Sequence, residues 1–283
     1  MNIKYVFKYF IAVLIIVLSV VGKSYASGFP TRPGRLIVSP SVSYFFANKE
    51  WDSTGVKKSF ANDGKFTSVS FNLYAEYGIS RRFSAVFLLP YIMNTYAQTG
   101  YPKSSVSGLT DMETGIKYYL ANINYVDYFS LQATAITPLY NNPNLGYNEE
   151  GGELKLSFAG SGAIGSKNFF FNFDEAGRYY FGPGGPFQDR YAGTFGLTLD
   201  NNFKNQLSLT ASGIYTTSNN KQNFNLLNPY VNKNFSFTQV SLSYGHTFSK
   251  RFTVFLTGGQ FVIGRNTGAG TSGTVALIYR IGN

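Results

Sequence analysis

Any base-assisted nucleophile in this chain would have to be served by His246, because it is the only histidine among 283 residues and cysteine is absent. Activating a hydroxyl requires the imidazole within hydrogen-bond reach and a third group to orient it. His246 sits in Tyr244-Gly245-His246-Thr247-Phe248; in an extended chain the position sharing its face two residues on is Phe248, while Thr247 turns to the opposite side. That pattern is a structural histidine, and no catalytic residue is assigned. One histidine, no cysteine and scattered acids do not make a transition-metal set. Asn148-Glu149-Glu150 lacks the spaced oxygens that calcium requires. Gly182-Pro183-Gly184-Gly185-Pro186 and the glycines of 264–270 lack the lysine and following helix of a phosphate cradle. No metal or cofactor is expected.

The other candidate groups are charges embedded in alternating segments: Glu76, Glu113, Lys117, Glu153, Lys155, Asp174, Arg178, Arg190 and Arg280. Their neighbours explain where they point. In 67–79, Val69, Phe71, Leu73, Ala75, Tyr77 and Ile79 fall on one face of a strand, and Ser68, Ser70, Asn72, Tyr74 and Glu76 fall on the other. Leu154, Leu156 and Phe158 alternate in the same way with Glu153 and Lys155. Strands with one apolar and one wet face suit a barrel with lipid outside and water inside. The charges are therefore expected to line the lumen, where opposite signs on adjacent strands neutralise one another; that structural role is favoured over substrate selection. In the segment 169–180, Glu175 would follow Phe171 and Phe173 outward unless the phase shifts.

Twelve such segments are read: 36–46, 67–79, 83–94, 110–121, 128–139, 153–165, 169–180, 189–199, 206–216, 236–248, 252–263 and 274–281. Their connections alternate. Long, polar, glycine-rich stretches (47–66, 95–109, 140–152, 181–188, 217–235, 264–273) are interleaved with tight joints (80–82, 122–127, 166–168, 200–205, 249–251), as in barrels with long external loops and short periplasmic turns. The expected fold is all-β: a transmembrane antiparallel up-and-down β-barrel of about 12 strands, both ends on one side, occupying 27–283 as one domain.

Residues 1–26 read as a secretory signal. Lys4 and Lys8 precede an apolar run from Phe10 to Val21 and the small-residue pattern ending at Ala26; the run is too short to span a bilayer as a helix. The segment from Ser27 to Gly34 is too short for a plug domain. Twenty-two tyrosines and 27 phenylalanines fit aromatic girdles at the two lipid interfaces. The formal charge is +10, but it is scattered over turns and loops (Arg81, Arg82, Lys204, Lys221, Lys250, Arg251) without a stripe. Rims facing anionic lipid account for it better than nucleic acid does. The expected location is the bacterial outer membrane and the expected partner its lipid, with no nucleic acid; oligomeric state is not legible.

Ser107-Gly108-Leu109-Thr110-Asp111-Met112-Glu113-Thr114-Gly115-Ile116-Lys117-Tyr118-Tyr119 resembles the glycine–aspartate–acid–glycine–tyrosine signature of the outer-membrane barrel family labelled MetA-pathway of phenol degradation. Tyr74-Ala75-Glu76-Tyr77-Gly78-Ile79 with Arg82, Leu88-Leu89-Pro90-Tyr91, and Gly264-Arg265-Asn266-Thr267-Gly268-Ala269-Gly270 resemble further pieces of it. The resemblance implies an outer-membrane barrel that takes up aromatic or hydrophobic compounds, and it assigns no catalytic residue. The chain departs from the common barrel ending, with Tyr279 as its last aromatic. The reading is a passive channel for small or hydrophobic compounds, narrow because twelve strands leave little room, especially if Tyr74, Tyr119 and Tyr128 face inward. A closed structural or surface-interaction barrel is the alternative, and an outer-membrane lipid-modifying enzyme ranks third.

Overall fold

The computed structural model describes residues 30–182, 185–200, 202–218 and 233–282; the expected signal segment and much of the loop 217–235 lie outside the described residues. Period-two alternation rich in aromatic and β-branched residues builds fourteen extended segments. They are β1 (Leu36–Trp51), β2 (Lys57–Ser59), β3 (Lys65–Gly78), β4 (Phe83–Ala97), β5 (Ser104–Leu109), β6 (Asp111–Ile123), β7 (Asp127–Pro138), β8 (Gly151–Ile164), β9 (Lys167–Tyr180), β10 (Phe187–Thr198), β11 (Asn205–Thr217), β12 (Ser236–Ser249), β13 (Phe252–Arg265) and β14 (Thr267–Ile281). β5 and β6 are one stave: both pair with β4, and Thr110 between them donates its N–H to the Pro90 carbonyl at 3.1 Å. β2 only decorates the end of β1.

Every neighbouring pair is antiparallel, and β14 returns to β1 in a register running from Leu36↔Ile281 to Trp51↔Thr267. Among the described residues the result is a closed barrel of twelve staves, each paired with a neighbour on both sides. The even number brings both described ends of the chain to the short-turn end. There Asp200 caps one turn, accepting from the amides of Lys204 at 2.9 Å and Asn205 at 2.8 Å; these bonds, that from Lys204 first, hold its carboxyl below the usual range.

Each expected segment overlaps a stave, but three expected loops are corrected. The stretch 264–273 is almost wholly strand, with Asn266 alone between β13 and β14 in a left-handed conformation (φ 49°). Its small residues look like loop composition, yet they serve close approach: a Cβ on Gly270 would meet the Phe46 carbonyl and the Phe45 ring. In 47–66, β1 continues to Trp51 and β2 folds back on it; in 95–109, β4 continues to Ala97 and β5 forms. Loop length therefore stops alternating at the last hairpin, while backbone pairing still closes the ring.

The outer face carries the apolar parity. Phe71, Leu73, Leu156, Leu209, Leu242 and Leu256 are all exposed, a continuous belt that water would not tolerate and that lipid covers. β9 keeps its phase. Phe171 packs against Phe158 and Phe173, and Glu175 follows them on the same face and is exposed. An arginine placed on this belt near mid-height is expected to cost about 2–4 kcal/mol, so Leu156→Arg should lower the urea midpoint of the barrel in phospholipid vesicles, whereas Arg at the rim position Ile164 should do so far less.

Candidate functional site in the barrel lumen

The inward parity of β3, β6, β8, β9 and β10 concentrates charge on one side of the lumen. Toward the short-turn end, Glu76 of β3 accepts from Lys117 Nζ of β6 at 2.6 Å, from the Tyr74 hydroxyl at 2.8 Å and from Thr31 Oγ1 at 2.7 Å. Glu76, Lys117 and Thr31 are all buried. Thr31 belongs to the segment before β1, which is anchored by Gly34 N–H donating to the Gly78 carbonyl at 2.8 Å and Gly78 N–H to the Arg35 carbonyl at 2.9 Å. Too short for a domain, this segment nonetheless places a side chain inside the barrel mouth.

A second network lies nearer the long-loop end. Arg178 of β9 donates Nε to Glu153 of β8 at 2.8 Å and Nη2 to Glu113 of β6, and Arg190 of β10 donates Nη1 to Glu153 at 2.7 Å while standing 3.9 Å from Glu113. Glu153 and Arg178 are cross-strand partners. Glu113 reaches Arg178 past the two intervening staves β7 and β8. Beyond them Asp111 accepts from the hydroxyls of Tyr140 at 2.8 Å and Tyr180 at 3.0 Å.

The structure thus gathers Glu113, Glu153, Arg178 and Arg190 into one network and Glu76 with Lys117 into another. Lys155 and Asp174 face a cavity beside the first; Asp174 accepts from Asn172 Nδ2 at 2.6 Å. Arg280 stands apart, with Nη1 3.3 Å from Thr253 Oγ1. Tyr74 and Tyr119 face inward, but Tyr128 sits at the rim, donating to the Tyr125 carbonyl at 2.9 Å, and does not narrow the lumen.

Opposite the ionic wall runs an aromatic strip that sequence reasoning missed. Phe66, Phe45, Phe261 and Phe237 come from β3, β1, β13 and β12; ring centroids are 6.1 Å apart for the first pair, 4.9 Å for the second and 4.3 Å for the stacked third. Parity contained the signal. Phe237 shares its face with Gln239, Ser241 and Ser243, and Phe66 shares its face with Ser68, Ser70 and Asn72, so both belong inside. Between the walls lie two cavities of about 420 and 430 Å³, one toward each end, which share Glu113, Arg190, Ile214, Phe237 and Gln239.

His246 is on the outer face beside a short turn, its Nδ1 2.7 Å from Asn205 Oδ1 and its ring against Phe248. His246→Ala is accordingly expected to leave permeation in bilayer recordings unchanged. Among the described residues no three His, Asp or Glu side chains are grouped as a metal set.

With the geometry in hand, the chain is similar to an outer membrane channel from Pseudomonas putida F1, at 12% identity and a TM-score of 0.72, the match covering 92% of this chain and all (100%) of that one. The fold is that of an outer-membrane β-barrel. Looser likenesses are the NanC porin (9% identity, 87% of this chain and 100% of that one, TM-score 0.49) and a deltaS2 mutant of the TodX monoaromatic hydrocarbon channel (10%, 89% and 91%, 0.47). No protein-family model matches the chain, and no curated protein matches its sequence.

Proposed function

We propose that this barrel lies in the bacterial outer membrane and is a passive channel for small or hydrophobic compounds, aromatic ones included, as members of the MetA-pathway family are taken to be. The observation that carries the reading is a lumen left unfilled between an aromatic strip and an ionic wall, its two cavities joined by a common set of lining residues. A twelve-stave barrel offers at most a narrow passage, and the barrel of the same fold from Pseudomonas putida is itself described as a channel. A closed structural barrel is the second reading, favoured by the buried Thr31–Glu76–Lys117 cluster at the short-turn end.

Single-channel recording in a planar bilayer under a salt gradient separates them. Small current steps are expected, and Lys155→Glu should move the reversal potential toward cation selectivity, because lumen charge sets the sign of the permeant ion. Lys117→Glu is a different experiment: it would set a second carboxylate against Glu76 and test the integrity of the cluster. No current from the native barrel or from one trimmed of its N-terminal segment would establish the closed reading.

A further inference from the structure

The geometry points to a recognition site at the waist of the lumen for a small aromatic carboxylate, held with its ring toward Phe237 and its carboxylate on Arg190; this rests on the channel reading and names the substrate class that the passage would favour. The residues common to both cavities define the waist, and three of them stand side by side there, Arg190 on β10 paired with Ile214 on β11 and Ile214 with Phe237 on β12, so whatever passes from one cavity to the other passes along this stretch of wall.

Hydrogen-bond donors remain free there. Arg178 is buried and engaged with both Glu113 and Glu153. Arg190 commits Nη1 to Glu153, while its Nε and Nη2 have no partner among the described residues, and its side chain is 33% exposed to the lumen. A guanidinium with free donors, set in a partly apolar pore, is matched by a planar carboxylate, which it binds through paired charge-assisted hydrogen bonds. Lys155 lines the adjoining cavity without an ion-pair partner among the described residues, whereas Asp174 there is occupied by Asn172. On this wall Arg190 and Lys155 keep donors for a ligand, whereas Arg178 is committed to the two glutamates.

The apolar residues beside Arg190 on the next two strands select the body of the ligand. Phe237 is stacked on Phe261, and Ile214 lies beside it, so a bare inorganic anion would leave that half of the waist unmatched. A cavity of about 430 Å³ suits one ring and its substituent. Asn94, buried with Oδ1 unpartnered among the described residues and lining the cavity of about 420 Å³, supplies an acceptor for a ring hydroxyl.

Calorimetric titration of the purified full barrel with benzoate, benzyl alcohol, cyclohexanecarboxylate and acetate tests the assignment. Benzoate should bind at least about tenfold more tightly than benzyl alcohol, which lacks the charged hydrogen bond, and than acetate, which lacks the ring. Arg190→Gln and Lys155→Gln should each weaken benzoate without affecting benzyl alcohol, and Arg190→Lys should restore only part of the loss. Phe237→Leu should weaken benzoate more than cyclohexanecarboxylate. Arg178 still covers both glutamates in Arg190→Gln, and an unchanged unfolding midpoint verifies the fold. Benzoate bound no better than acetate or benzyl alcohol, or bound equally by both cation variants, overturns the site. Ion current without benzoate binding overturns it too and leaves the channel reading standing; benzoate binding in a barrel that passes no current upholds the site and removes the channel.

Discussion

Replacing Arg178 with methionine is expected to destabilise the barrel by about 3–5 kcal/mol, the cost of removing one partner from a buried ionic group. Methionine keeps the apolar stem, so the loss isolates the guanidinium. That group is 6% exposed and satisfies Glu113 and Glu153 together. Arg190 remains on Glu153 at 2.7 Å but is 3.9 Å from Glu113, so Glu113 is the carboxylate left without a close cation. The double variant Arg178→Met/Glu113→Gln, which leaves the Arg190–Glu153 pair in place, should recover most of the stability, because a neutral amide tolerates the missing charge. Arg190→Met, at a one-third-exposed group, should cost distinctly less. Urea unfolding of the three variants in phospholipid vesicles decides the matter: equal midpoints for Arg178→Met and the double variant would mean that the network is not an electrostatic unit.

The staves were legible because the two faces of a membrane barrel differ in solvent, so each strand writes its phase in alternating residue types. Phe71 and Leu73 beside Asn72 and Tyr74 leave no ambiguity. The charged side chains followed from that phase, since their parity is opposite to the lipid-facing residues. Which charges meet was less legible. Glu153 and Arg178 are neighbours by register, but Glu113 reaches Arg178 past two staves, a contact set by side-chain length and barrel curvature that no local pattern encodes. The aromatic strip escaped for another reason: phenylalanine reads as lipid-facing unless parity is given precedence over hydrophobicity, and at Phe45, Phe66, Phe237 and Phe261 parity is the stronger guide. The last hairpin escaped because Gly264, Gly268 and Gly270 carry loop composition while serving close strand packing.

Freeing the segment before β1 should enlarge the current through the barrel several-fold, the largest effect on permeation that the structure leads one to expect. Its hold on the mouth is specific: Thr31 Oγ1 donates to Glu76 at 2.7 Å in a buried setting, and the bonds from Gly34 N–H to the Gly78 carbonyl and from Gly78 N–H to the Arg35 carbonyl tie the segment to β3. A hydrogen bond to a charged group contributes about 1.5–3 kcal/mol. Thr31→Val, which keeps the shape and removes the donor, should therefore raise the population of the detached segment by about 10- to 100-fold. The native barrel would then show brief openings, Thr31→Val more frequent ones of the same amplitude, and a barrel trimmed through Pro33 a steady larger current. Glu76→Gln should fall between, because it weakens the bond from Thr31 while also leaving Lys117 buried without its counter-charge. An unchanged open probability in Thr31→Val together with an unchanged current in the trimmed barrel would show that the segment lies beside the path, and the constriction would then have to be the Arg190–Phe237 waist alone.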